Sequence, residues 1–117
     1  MTLNSYSILL LKTNRSDIEC LEQMLLPHKF IMVNNLSEAE SVLREKYIDA
    51  VILDLSLNTI GDFEIISSVS LLMNHLAVVV ITNNENEEAL QKAIKLGADE
   101  VVIIKKNNSH FKRRLIS

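Results

Sequence analysis

An open, doubly wound α/β sandwich is the fold class that this sequence of 117 residues predicts. Five short apolar runs punctuate it: Ile8 to Leu11, Phe30 to Val33, Ala50 to Leu55, Ala77 to Ile81 and Val101 to Ile104, with starts 20 to 27 residues apart. None of the five alternates apolar with polar residues. That is the pattern of strands covered on both faces, which belong to parallel sheets. Parallel neighbours need crossovers, and the segments between the runs have helical periodicity.

Each element has its own justification. After the first strand, Asp17 to Leu26 places Ile18, Leu21, Leu25 and Met24 at helical spacing, and Pro27 stops it. A second helix, Ser37 to Lys46, opens with Ser37 and Glu40 at the spacing of a capping box and turns Ala39, Val42 and Leu43 inward. The third crossover, roughly Phe63 to Met73, is rich in Ile, Val and Leu with a blurred polar face, and is read as helix. Asn86 to Leu96 sets Ala89, Leu90, Ala93, Ile94 and Leu96 on one side, with acids near its start and Gly97 as a left-handed cap past its end. A fifth, short helix is expected over Ser109 to Ile116.

Composition narrows the class further. Leu, Ile and Val occupy 40 of the 117 positions, an ample core for one domain spanning residues 1–117 and an argument against disorder. With no Trp and five other aromatics, a base-stacking platform for nucleic acid has little to be built from. The lone Cys20 forms no internal disulfide, and no Cys/His pair has zinc-ligand spacing. No apolar run approaches the length of a membrane helix, and the start lacks a basic leader, so a soluble cytoplasmic protein without a signal peptide is expected. The net charge of −3 conceals an asymmetry: residues 105–117 carry +5 and the rest −8. A basic end of this kind suits either the negative pole of a last helix or an anionic partner.

Ligands of doubly wound sheets sit beyond the carboxyl ends of the strands. The residues there are Lys12, Thr13 and Asn14 after the first strand, Asp54 at the third, Thr82 and Asn83 after the fourth, and Lys105 after the fifth. Asp54 interrupts the apolar run AVILDL, and a carboxylate so placed needs a cation, several donors or a purpose. It is therefore a buried ion pair or cap, or else a nucleophile or metal ligand.

The stretch DAVILDLSLNTIGDFEI, with SILLLKTN, VVVITNN and KLGADEVVIIKK, resembles the receiver domain of two-component response regulators over essentially the whole chain. The resemblance implies a flavodoxin-like sheet of order 2-1-3-4-5 with helices on both faces. It also implies a phosphoacceptor at Asp54, a switch hydroxyl at Thr82, and a role in phosphorelay signalling rather than as an enzyme. In that family an Asp attacks a phosphoryl group held on a kinase histidine, Mg²⁺ neutralises the transferring oxygens, and a Lys and a Thr hold the product.

Several family positions are altered here. The acidic pair that binds Mg²⁺ falls on Lys12 and Thr13, and the nearest acid is Asp17. Counting from Gly97, the site lysine falls on Ile104, or on Lys105 if one residue is inserted. The reporting aromatic is Val101 or Val102, the D-G turn reads Gly61-Asp62, and the family's Pro is Asn58. The expectation is an atypical receiver, poorly phosphorylated at Asp54 and acting by protein–protein interaction. No metal ligand, catalytic residue or cofactor is expected, Mg²⁺ included. The partners implied are a histidine kinase or output domain, and a second copy across the fourth and fifth helices; neither a membrane nor a nucleic acid is expected.

Two alternatives belong beside it: a pseudo-receiver wholly independent of phosphorylation, and a small anion- or nucleotide-binding flavodoxin-like protein using Lys12, Arg15 and the following helix N-terminus. Against the latter, two glycines cannot write either phosphate-binding glycine motif. Hydrolysis lacks a nucleophile elbow, and His28, His75 and His110 lie at segment boundaries away from the strand ends. Cys20 is read as a small apolar filler, and Met24, Met32 and Met73 as core. If Lys105, Lys106, Lys112, Arg113 and Arg114 share a face, they suit an acidic protein or, as the lesser choice, phosphate.

Overall fold

A computed structural model describes residues 6–12, 29–73, 75–107 and 110–116. The helix expected over Asp17 to Leu26, together with Thr13, Asn14, Arg15, Cys20, Met24, Pro27 and His28, lies outside the described residues. The elements run β1 (Ser7–Lys12), β2 (Lys29–Val33), α1 (Leu36–Glu45), β3 (Ala50–Asp54), α2 (Ile60–Leu72), β4 (Ala77–Thr82), α3 (Glu87–Lys95), β5 (Glu100–Asn107) and β6 (His110–Ile116). They form one sheet of order β2-β1-β3-β4-β5-β6. The first five strands are parallel, in the predicted order, and β6 runs antiparallel to β5.

Period-two alternation divides the strand side chains between two faces. Leu9, Leu11, Val51, Leu53, Val78, Val80, Val101 and Ile103 pack with Ala39 of α1, Ile66 and Val69 of α2, and Leu90 and Ala93 of α3. Ile8, Leu10, Ile52 and Ile81 form a second cluster with Phe30, Val79, Val102 and Ile104, which contains no residue of the described helices. All three described helices thus lie on one side. Each large aliphatic buried this way contributes roughly 1.5–3 kcal/mol. Met73 is buried as expected, whereas Met32 of β2 is exposed. No described helix is long and apolar enough to cross a membrane.

Two aspartates fasten the amino end of the sheet. Asp49, just before β3, accepts a hydrogen bond from Ser7 N at 2.8 Å through Oδ2 and donates its own N–H to Ser7 O. Asp99, just before β5, does the same to Val78, accepting from its N at 2.7 Å. The Asp of the GAD stretch therefore joins strand to strand.

Local chemistry sets the helix ends. The N-cap of α1 is Asn35, which accepts from Glu38 N, while Glu38 Oε1 accepts from Asn34 N. The capping pair is therefore two residues earlier than the expected Ser37 and Glu40. Thr59 caps α2, which begins three residues before the expected start, and Asn86 caps α3. The C-terminus of α3 is a Schellman turn: Ala98 N donates to Ala93 O and Gly97 N to Ile94 O, with Gly97 at φ 128°. Lys92 of α3 lies 4.5 Å from the centroid of the Phe63 ring on α2 and ties the two helices together.

The fifth helix is the expectation that the structure overturns. Residues 110–116 form β6, with seven register pairs from Val101↔Ile116 to Asn107↔His110. An isolated helix of eight residues is marginal. As a strand, the same segment satisfies backbone groups of β5 that would otherwise form an open edge. The docking face built on a fourth and a fifth helix is corrected with it, because the second of those helices is a strand.

Candidate functional site at the carboxyl end of the sheet

The register brings Lys12 and Asp54 together: they are Cα partners on the adjacent strands β1 and β3, about 4.8 Å apart in the pairing direction. Parallel partners project to the same side, here that of Leu10 and Ile52. Both are nearly inaccessible, with Lys12 8% and Asp54 5% exposed. A carboxylate and an ammonium group thus share one row at a scarcely accessible end of the sheet.

Thr82 closes β4 one residue beyond Ile81, the partner of Asp54, and is 2% exposed. Its Oγ1 accepts from Asn84 N at 3.1 Å. Lys105 lies on β5 two residues past Ile103, the partner of Thr82, and opposite Lys112 of β6. Thr13 lies outside the described residues, and Asn83 is exposed.

Two polar residues that the sequence did not single out for the site organise its loops. Leu57, three residues after Asp54, is buried at φ 59°, a left-handed conformation that costs a non-glycine residue roughly 1–2 kcal/mol. Asp62 offsets this cost. Its Oδ2 accepts from Leu57 N at 2.8 Å and from Ser56 Oγ at 2.9 Å, and the residue is itself buried in the first turn of α2. The T-x-x-D spacing of Thr59 and Asp62 is the signal that could have found it.

The second residue is Asn84. Its Nδ2 donates to Ser56 O at 3.1 Å, Leu57 O at 3.2 Å and Asn58 Oδ1 at 3.2 Å, and its Oδ1 accepts from Asn86 N. One amide therefore ties the loop after β4 to the loop after β3. The run of asparagines after Thr82 hinted at a turn, but only folding reveals the acceptors. Among the described residues, no group of three or more His, Cys, Asp or Glu is arranged to hold a metal ion. His75 is exposed at the opposite end of the sheet, before β4.

A family model described as the response regulator receiver domain matches residues 8–114. Solved structures share the architecture. The phosphorylated cyanobacterial phytochrome response regulator RcpA is 24% identical, with 90% of this chain and 84% of that one covered, at a TM-score of 0.69. A putative response regulator from Chloroflexus aurantiacus J-10-fl is 19% identical, covering 86% and 85%, at a TM-score of 0.71. The response regulator Rcp1, solved in its Mn(2+)-bound form, is 19% identical, covering 88% and 84%, at a TM-score of 0.69. At these identities the likeness is one of fold. A comparison with curated proteins finds no match. With the family model spanning nearly all of the chain and the sheet order in agreement, the chain belongs to the response regulator receiver domain family of two-component signalling, whose members are generally signalling domains rather than enzymes.

Proposed function

We propose that this receiver domain is an atypical one, phosphorylated poorly or not at all at Asp54, and that it works as a protein-interaction module. The observation that carries the reading is the register of Lys12 with Asp54 at the buried end of the sheet. An ammonium about 4 Å from a carboxylate is worth roughly 4 kcal/mol at an effective dielectric near 20, before desolvation is subtracted. It also repels a dication.

The residues present fit the family's Mg²⁺ badly. That ion wants hard oxygen ligands in near-octahedral array. Here an amine stands in the first acidic position, and two backbone carbonyls after Asp54, those of Ser56 and Leu57, accept from the Asn84 amide. Rcp1 was solved with Mn(2+) bound; in this chain Lys12 stands in for the cation. If the relay operates all the same, Asp54 Oδ attacks the phosphorus of a phosphohistidine as the P–N bond breaks. Thr82 would then bond the phosphoryl group, and Lys105 would serve as the site lysine. The partners on either reading are a histidine kinase or an output domain.

Incubation with a small phosphodonor and Mg²⁺, followed by intact mass, tests the proposal. The expected spectrum is that of the unmodified chain, with no Mg²⁺-dependent rise in melting temperature; a ligand at 100 times its Kd would add about 2.7 kcal/mol. A stoichiometric gain of one phosphate at Asp54 would reject the idea.

A further inference from the structure

β6 ends the sheet and, among the described strands, pairs with β5 alone. Its outer edge is seven residues long without Pro or Gly, and alternate N–H and C=O groups along such an edge can receive another strand. The register also distributes charge. Along the paired backbones Arg114 stands opposite Ile103, Arg113 opposite Ile104 and Lys112 opposite Lys105. No acid occurs in residues 105–117.

This placement discriminates between occupants. A second copy paired antiparallel about a two-fold axis at Arg113 would set Arg113 against Arg113 and Lys112 against Arg114. Shifting the register by two residues either way sets Lys112 on Lys112 or Arg114 on Arg114. Like charges directly opposite destabilise a strand pair, and opposite charges stabilise it. A strand bearing Asp or Glu converts each repulsion into attraction.

We infer that the β6 edge is a docking site for an acidic extended segment of a partner protein, which joins the sheet as a seventh strand while the basic positions turn away a second copy. Main-chain hydrogen bonds hold the segment, and the cations select it. The inference rests on the reading of this chain as an interaction module but uses no chemistry at Asp54, so phosphorylation there and binding here succeed or fail separately.

The test titrates the chain of residues 1–117 into three labelled probes: a peptide of alternating Glu and Val, its Lys–Val counterpart, and duplex DNA. The expected result is that the Glu–Val peptide binds at least tenfold more tightly than the others and slows hydrogen exchange at alternate β6 amides. The same peptide N-methylated at alternate residues, equal in charge but short of donors, should bind at least tenfold more weakly, and the K112E/R114E variant should reverse the preference of the two peptides. Equal binding of the N-methylated peptide, preferential binding of DNA, self-association of the chain through β6, or no binding of the Glu–Val peptide would each overturn the inference.

Discussion

Lys12 and Asp54 are each ionisable and nearly inaccessible, and strand register sets them beside one another. Breaking a buried pair from one side leaves a charge without compensation, at a cost of about 3–5 kcal/mol. Lys12→Met is therefore expected to lower stability by about that amount in urea denaturation. Adding Asp54→Asn to it should recover part of the loss, since the orphaned charge is then removed as well. Strict additivity of the two changes would show that the residues do not interact. Asp54 and Lys12 were both legible as strand-end residues, since a charge at the end of an apolar run is visible in one dimension. Asn84 was not, because nothing local says that an amide after β4 will find carbonyls of the loop after β3, 26 to 28 residues away; Asp62 was signalled only by its spacing from Thr59, and its bond to Leu57 N emerges with the turn.

At the scale of elements, the turn after α3 is the most exacting. Gly97 sits at φ 128°, and a Cβ there would overlap both Oγ and Cβ of Ser70 on α2. Gly97→Ala should thus cost about 3 kcal/mol or more, combining backbone strain with overpacking. Ser70→Ala should not rescue it, because the Cβ of residue 70 remains in the way; a full rescue measured by thermal melting would contradict the packing described. The periodicity of α1 and α3 was plain from the sequence, with each boundary displaced by one residue. α2 was blurred because exposed Ile60, Leu71 and Leu72 dilute its polar face. Its start was missed because Ile60 and Gly61 look unlike a first turn, although Thr59 caps them.

Across the whole molecule, β6 exchanges one edge for another. Without it β5 would end the sheet, and the apolar stretch from Val101 to Ile104 would be exposed along its backbone edge. Removing residues 108–117 is expected to lower the melting temperature and shift the chain toward larger species in size-exclusion chromatography as concentration rises. An unchanged elution and melting profile would show that β6 guards nothing. By itself, the sequence determined the parallel sheet, the positions of its five parallel strands and the residues at their carboxyl ends. Continuous apolar runs and helical spacing are local, and burial follows from them directly. Only the tertiary structure decided that residues 110–116 are a strand, that Lys12 stands level with Asp54, and that Asn84 bridges two loops. Each of these depends on what a segment meets across space: an unpaired strand edge outcompetes a short helix, and register, which no single strand encodes, decides which charges share a row.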